Sequence, residues 1–460
     1  MEWLSFLGIV IAVVLLVLMA FKGFNIVFTS IVASVVICIL SGLNPLTTMK
    51  TTYMGLITVS GGTWPADSWA AAKATTAIGG FLGLLRSYLL LFVLSGTFGK
   101  FMAQCGAVKT LANLLSKLTK FSKSPAHISV MIMVALYFIL SYIGINGFVT
   151  VFTLLGIGYE LFKKTDCPWE LYYYGSAGIM GAAVLPYSLY TSNIMANDNM
   201  QVGLAAAPVM SVLMVVVYFV LVAVMAKIDV VRLNKHGDGF LPSGATYDAN
   251  PTITSASNEN IPGTLNALIP MLVPIVCILL KLDVLYALLL GIVACIAFNH
   301  DKFGGTAGMR KSVSEGFALS VTAVANVAAM NALIAVMRST SGYRMIVAFF
   351  GLAPGIWGVL LVGLLTGAIV GSQSSFLPTT MGDMMTRIGV TGLNPGVASR
   401  LAIFSGCAYC TPHNSGNVNA IILTKGNYLK AALCYIRANF VPGIITLIIF
   451  TLLGEAGIFG

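Results

Sequence analysis

The chain has 460 residues and a net charge of +10, and 58% of its residues are hydrophobic while only 9% are charged. A soluble domain carries about 25% charged residues, so this composition excludes a soluble globular protein and, despite the positive charge, a nucleic-acid-binding domain. Most of the chain must lie in lipid, and its basic residues then act as topology signals in the loops between apolar runs.

Apolar runs long enough to cross a bilayer, about 17 to 25 residues, recur from residue 4 to residue 454. The first run, 4–20, has no basic segment before it and is followed directly by a second at 24–43, so it is predicted to be a membrane span and not a cleaved leader. Placing the loops richest in Lys and Arg inside predicts a multi-pass protein of a prokaryotic cytoplasmic (inner) membrane, with both termini on the extracytoplasmic side.

The apolar segment 125–162 has lysines at both ends, with Lys123 before it and Lys163 after it. Both ends are therefore expected in the cytoplasm, which favours a re-entrant hairpin that turns at 142–147. Two tightly joined spans with the same Gly-Asn-Gly turn are the alternative. Irregular backbone at such depth is tolerated only where protein or a water-filled cavity satisfies it.

A long polar stretch at 233–263, rich in Gly, Pro, Ser, Thr and Asn, divides the chain almost in half. It is predicted to be a cytoplasmic linker between a first membrane repeat, 1–232, and a second, 264–460. Each predicted repeat contains a hairpin followed by a proline-broken helix. The paired segments are hairpins at about 125–162 and 355–386 and broken helices at about 170–198 and 397–424.

The two helix breaks contain Pro186 and Pro412, and in each case the seventh residue beyond the proline is asparagine, Asn193 or Asn419. With the linker inside, the two hairpins enter from opposite faces of the membrane. This is an inverted-topology repeat, an organisation common among secondary transporters. The predicted fold class is therefore an all-α polytopic membrane protein made of two inverted repeats.

Polar residues concentrate at the hairpin tips and at the helix breaks. A proline break frees carbonyl oxygens that can bind a cation and helix-end amides that can bind an anion. Close helix packing by small residues and a kink healed by Ser, Thr or water are the structural alternatives. The candidate substrate-binding residues are Asn146, Gly147, Ser188, Asn193, Ser372, Gln373, Ser374, Ser375, His413, Asn414 and Asn419.

His413 is the one histidine inside this constellation, where it could bind substrate, carry a coupled proton or cap a helix end. Asp198 and Asp383 are the only acids close enough to the breaks and hairpins to be further proton carriers. No buried acid is evident at mid-membrane, which favours an anionic substrate held by neutral donors. Cys407 and Cys410 fall short of a four-ligand metal site, so no metal or cofactor is expected beyond a coupling ion, H⁺ or Na⁺.

The T-P-H-N-S-G segment at 411–416, with L-T-K-G-N-Y at 423–428, resembles the late L-P-H-N-G segment and following loop of the gluconate:proton symporter (GntP-type) permeases of the ion transporter superfamily. Thr411 stands where that family has leucine, Ser415 intervenes before the glycine, and 55–80 has no match. The resemblance implies a homodimer in which a scaffold, including 4–43 and 264–299, holds a transport domain that slides like an elevator.

The predicted function is a proton-coupled symporter of a small organic acid anion, such as gluconate or a short hydroxycarboxylate. A sodium-coupled carboxylate transporter and a cation/proton antiporter of the same superfamily are the alternatives, and the antiporter would need Asp198 or Asp383 as its proton carrier. An intramembrane enzyme using Cys410 and His413 would lack an orienting acid and would give the repeat no purpose, so the chain is not expected to be an enzyme.

Overall fold

The computed structural model describes residues 2–55, 80–241, 261–350, 353, 355–371, 393–411 and 413–459. Over these ranges the chain is helical and contains no strand, and seven of its helical segments are long and apolar enough to cross a membrane. The predicted all-helical, multi-pass architecture is thus confirmed for the described part of the chain.

The described ranges of the first half contain nine principal helices. They are α1 (Glu2–Phe21), α2 (Ile26–Leu40), α3 (Gly80–Gln104), α4 (Ala107–Ser116), α5 (Pro125–Tyr142), α6 (Gly147–Lys164), α7 (Ser176–Val184), α8 (Thr191–Met200) and α9 (Pro208–Lys235). Short helical turns at Pro45–Thr48, Met49–Tyr53, Lys117–Phe121 and Trp169–Gly175 lie between them.

The described ranges of the second half also contain nine helices. Its helices are α10 (Thr264–Leu279), α11 (Val284–Asn299), α12 (Gly305–Arg338), α13 (Ser341–Phe350), α14 (Gly355–Val370), α15 (Pro395–Ser405), α16 (Ser415–Thr424), α17 (Tyr428–Tyr435) and α18 (Val441–Glu455). Short turns at Gly406–Cys410 and Ile436–Phe440 precede α16 and α18.

Asparagine and aspartate side chains set several helix starts. The Asn25 side chain accepts a hydrogen bond from the Val27 amide, and Asn394, Asn414 and Asn427 cap α15, α16 and α17 in the same way. An oxygen at this position satisfies one of the amides that a helix leaves unpaired at its start. The sequence thus encodes where these helices begin, even inside apolar surroundings.

Two long helices, α3 and α12, pack backbone to backbone. A Cβ atom on Gly96 would lie 1.9 Å from Ser320 Oγ, and one on Gly316 would lie 2.7 Å from the Thr97 Cα. Small residues allow such approach in membranes, where packing replaces the hydrophobic driving force between helices. The core of the molecule is therefore built by one helix from each half.

Contacts between the halves continue beside the helix breaks. The Tyr173 hydroxyl and Thr424 Oγ1 lie 2.6 Å apart, and the Trp169 indole donates to the Thr424 carbonyl at 3.2 Å. At the periphery Lys430 and Glu170 form an ion pair at 3.4 Å. These bonds attach the turn Trp169–Gly175 of the first half to the end of α16 in the second.

Candidate functional site

The first helix break, 185–190, lies against the tip of the α5–α6 hairpin. The Leu189 amide donates to the Tyr142 carbonyl at 3.0 Å, and the Tyr142 hydroxyl donates to the Pro186 carbonyl at 3.0 Å. The Asn193 side chain donates to the Ser188 carbonyl at 2.8 Å. Backbone groups released by the break are therefore taken up by the hairpin tip and by a side chain one turn later, as membrane burial requires.

The second break lies against the end of α14, the first helix of the predicted second hairpin. His413 Nε2 and the Ile369 carbonyl are 2.8 Å apart, and the Asn414 side-chain amide donates to the Gly371 carbonyl. The Asn414 oxygen accepts from the Asn417 amide at 2.9 Å and so caps α16. In both halves a hairpin helix and a break are thus joined by hydrogen bonds to carbonyl oxygens.

A cavity lies where the first hairpin tip and both breaks meet. It contains about 770 Å³ of space free of atoms, including the solvent at its opening. Its lining residues are Phe92, Tyr137, Asn146, Gly147, Val151, Tyr173, Ser176, Ile179, Tyr190, Thr191, Val327, Tyr409, Asn414, Gly416, Asn417 and Tyr435. None of these described residues carries a formal charge, while many present a hydroxyl or an amide.

Three helices begin at the wall of this cavity. Gly147 is the first residue of α6, Thr191 is the first residue of α8, and Gly416 lies in the first turn of α16. A helix start carries a partial positive charge and amides that have no acceptor within the helix. The cavity is therefore positive in character without a charged side chain, which is the arrangement that binds an anion at helix starts elsewhere.

The cavity wall includes three of the predicted binding residues, namely Asn146, Gly147 and Asn414. Ser188 and Asn193 are fully buried beside it and do not line it. Asn419 belongs to α16, and its side chain is outside the described set. Ser372, Gln373, Ser374, Ser375, Asp383 and Pro412 lie outside the described residues.

His413 is buried next to the cavity and does not line it. Its Nε2 is bonded to the Ile369 carbonyl, while its Nδ1 has no hydrogen-bond partner among the residues that the structure describes. A Cβ atom on Gly371, whose φ is +58°, would lie 2.9 Å from the imidazole ring. The histidine therefore holds the second break against α14, one residue away from Asn414, which lines the cavity.

Asp198, the other described proton-carrier candidate, is exposed in the last turn of α8. Other charged side chains, outside α8, are buried. Asp229, near the end of α9, is buried and contacts the Tyr174 hydroxyl, Arg437 and, at 3.4 Å, Arg232. Because Asp229 lies beside the polar linker in the sequence, sequence reasoning did not predict that it is buried.

Arg400 in α15 is a second buried charge that the sequence reasoning missed. It has no exposed surface, and its guanidinium donates to the carbonyls of Ala206 at 3.0 Å and Leu204 at 2.9 Å and to the Asn193 side chain. Asn193, in turn, accepts from the Asn197 side chain at 3.0 Å. The signal in the sequence was an arginine at the fourth position of the apolar run that begins at residue 397.

Tyrosine hydroxyls form much of the cavity wall, and they were also missed. Tyr409 donates to Asn439 Oδ1 at 3.1 Å, and the Asn439 amide donates to Ser176 Oγ at 2.8 Å. The run Y-Y-Y at 172–174 was the available signal. Because aromatic residues are common in any membrane protein, that run alone does not distinguish a cavity wall from core packing.

The fold and the cavity together define a multi-pass helical membrane protein with a polar cavity between its two halves. A solved structure similar to this chain is that of the Alcanivorax borkumensis YdaH transporter, described as having an unusual topology. It is 12% identical, the similarity covers 82% of this chain and 88% of that chain, and the TM-score is 0.49. No protein-family model and no curated protein sequence matches the chain.

Proposed function

We propose that this protein is a secondary active transporter that moves a small organic acid anion across the cytoplasmic membrane together with protons. The observation that carries the proposal is the convergence of three helix starts, those of α6, α8 and α16, on one uncharged cavity. Such a cavity attracts a carboxylate, and because it contains no cationic side chain, no charge has to be buried in the empty protein.

The cavity also supplies groups for the rest of such a substrate. Tyr190 and Tyr435 line it, and neither phenol hydroxyl forms a hydrogen bond with another described residue. Hydroxyl groups of a gluconate-like or short hydroxycarboxylate substrate would bond to these phenols and to the amides of Asn146 and Asn417. The L-P-H-N-G-like segment of the gluconate permeases falls on this wall at Asn414, which supports the same substrate class.

For the mechanism we propose elevator-type alternating access in a homodimer. The α5–α6 hairpin and both breaks share the cavity, so a transport domain made of these elements could carry its bound substrate as one body. The predicted scaffold helices α1, α2, α10 and α11 contribute no residue to the described cavity wall. The inverted repeat would give the moving domain two equivalent positions, one open to each side.

Uptake into proteoliposomes tests this function directly. The purified chain should accumulate a labelled hydroxycarboxylate when an inward proton gradient is imposed, and dissipation of the gradient should abolish accumulation. Accumulation driven by sodium at constant pH would establish the sodium-coupled alternative. Failure of every organic acid in a broad panel to be transported or to raise the melting temperature would overturn the proposal.

The sign of the substrate's charge is tested by Asn417→Asp. Asn417 is the third residue of α16, where a carboxylate favours the helix, so folding should be preserved. A negative charge about 5 Å from the bound carboxylate, at an effective dielectric constant of about 20, costs about 3 kcal/mol, or about a hundredfold in affinity. Binding of the organic acid is measured by calorimetry.

The matched control is Asn113→Asp, which makes the same change at an exposed site on α4. It should leave affinity unchanged. If Asn417→Asp instead strengthened binding of a cation, the antiporter reading would replace the organic-anion reading. Asp229 is a poor proton carrier for such an antiporter, because Arg437 and Arg232 already pair with its carboxylate.

A further inference from the structure

A groove unrelated to the cavity lies outside the first hairpin, between the turn Lys117–Phe121 and the first turns of α5. Leu115, Leu118 and Phe121 form one side of it, and Ile128, Met131 and Ile132 form the other. It contains about 890 Å³ of space free of atoms, including open solvent. Its described walls are almost entirely apolar, so it suits a hydrocarbon chain.

Two apolar side chains at the mouth of the groove are unusually exposed. Leu118 is 53% exposed and Phe121 is 87% exposed, although both belong to a turn that otherwise carries lysines. Helix α4, which leads into this turn, buries Val108, Leu111 and Ala112. An amphipathic segment that ends in exposed Leu and Phe beside Lys is typical of the membrane–water interface.

The lysines at this mouth have no carboxylate to pair with. Lys117, Lys120 and Lys123 are exposed, and no ion pair to any of them is found among the described residues. The chain contains no Asp or Glu between 68 and 159. Three like charges within seven residues therefore lie at the end of an apolar groove, and the positive-inside rule places them on the cytoplasmic face.

We propose that this groove binds an anionic phospholipid, with one acyl chain along Ile128 and Met131 and the phosphate between Lys117, Lys120 and Lys123. Charge complementarity selects this occupant, because basic clusters at the cytoplasmic end of a membrane helix attract anionic headgroups. Lysine side chains are long enough to reach the phosphate level while their methylene groups cover the apolar rim.

The groove also adjoins an element of the cavity. The groove lies between the Lys117–Phe121 turn and α5, the first helix of the hairpin whose tip lines the cavity. A lipid in the groove would therefore contact the hairpin from outside. This consequence rests on the proposed function, whereas lipid binding itself does not and is measured separately.

Binding is tested with the full chain in detergent by native mass spectrometry, with phosphatidylglycerol and phosphatidylcholine of equal acyl composition as probes. Phosphatidylglycerol should be retained preferentially, and K117Q/K120Q/K123Q should weaken its retention at least about tenfold. The matched control is K22Q/K227Q/K235Q, which removes the same charge from exposed lysines elsewhere. That control should retain the lipid as the wild type does.

Two further arms separate the headgroup from the groove. Ala135→Phe fills the inner end of the groove and should weaken long-chain phosphatidylglycerol, with thermal unfolding used to verify its fold. Inorganic phosphate at lipid-matched concentration should not compete. Equal retention of the two lipids, equal loss in the control triple variant, or full competition by phosphate would each overturn the proposal. If the protein binds phosphatidylglycerol but transports no organic acid, the lipid-binding inference stands and only the transport proposal is contradicted.

Discussion

Arg400 is a cation without exposed surface, and oxygen atoms from Asn193, Leu204 and Ala206 surround it. Two of these oxygens belong to the backbone between α8 and α9, so the arginine of the second half organises a loop of the first. Asn193 is thereby committed to a structural bond. It positions the first break through its bond to the Ser188 carbonyl and does not line the cavity.

Replacing Arg400 should destabilise the protein. Arg400→Met leaves the carbonyls of Leu204 and Ala206 and the Asn193 oxygen without a donor in a buried place, which we expect to cost about 2 to 4 kcal/mol. Apparent melting temperature in detergent, followed by tryptophan fluorescence, measures the loss. Arg344→Met, at an exposed position of α13, is the control, and an equal effect in the two variants would contradict a special role for Arg400.

His413 has two roles that can be tested separately: its hydrogen bond to the Ile369 carbonyl and the proposed transfer of the coupled proton. Because His413→Gln can still donate to the Ile369 carbonyl but cannot titrate near neutral pH, substrate binding should persist while coupling is lost. Accumulation against a gradient should fall to the level of passive exchange, and uptake should become independent of pH between about 5 and 8. If the variant keeps its proton-driven accumulation, a group other than His413 carries the coupled proton.

At the scale of elements, the close crossing of α3 and α12 fixes the centre of the molecule. Gly96 and Gly316 let the two backbones meet, and the Ser320 hydroxyl that faces Gly96 donates to the Gly316 carbonyl at 2.6 Å. Glycine was visible in both apolar runs, but glycines are frequent in membrane helices. Which of them mark a crossing depends on the partner helix, so the sequence could not identify this pair.

Gly96→Ala tests this crossing. Its methyl group would collide with Ser320 Oγ and with the Gly316 carbonyl, which overpacks the interface and should cost about 1 to 3 kcal/mol. Gly203→Ala is the control, since no atom lies within 4 Å of a Cβ there. The melting temperature of Gly96→Ala should drop, and that of Gly203→Ala should not. Unchanged stability in both variants would contradict the close contact between α3 and α12.

The first hairpin turn and the two helix breaks coincide with boundaries between described helices, whereas residues 372–386 of the predicted second hairpin lie outside the described residues. The turn expected at 142–147 falls between α5 and α6, and the interruptions expected near 186 and 412 fall between α7 and α8 and before α16. These features are local, because glycine, proline and capping asparagines act on neighbouring residues. The predicted inversion of the repeats and the domain boundaries concern orientation in a bilayer and stay predictions.

At the scale of the whole molecule, orientation in the membrane can be read with introduced cysteines. All eight native cysteines are buried, so a membrane-impermeant maleimide should label the wild type weakly. His236→Cys, after α9, should react only when the cytoplasmic side is accessible, and Ala456→Cys, after α18, only from outside. Labelling of the two positions from the same side would exclude the proposed topology.

Sequence by itself determined that this is a helical membrane protein and where its hairpin turn and helix breaks occur, because lipid demands long apolar runs and a proline acts on its own turn. Only the tertiary structure decided which polar residues share a cavity. Asn146, Thr191, Asn417 and Tyr435 meet there, while Asn193 faces Arg400 and His413 faces α14. The physical reason is that a side chain's partner in a low-dielectric interior comes from another helix, far away in sequence, and the packing of helices chooses it.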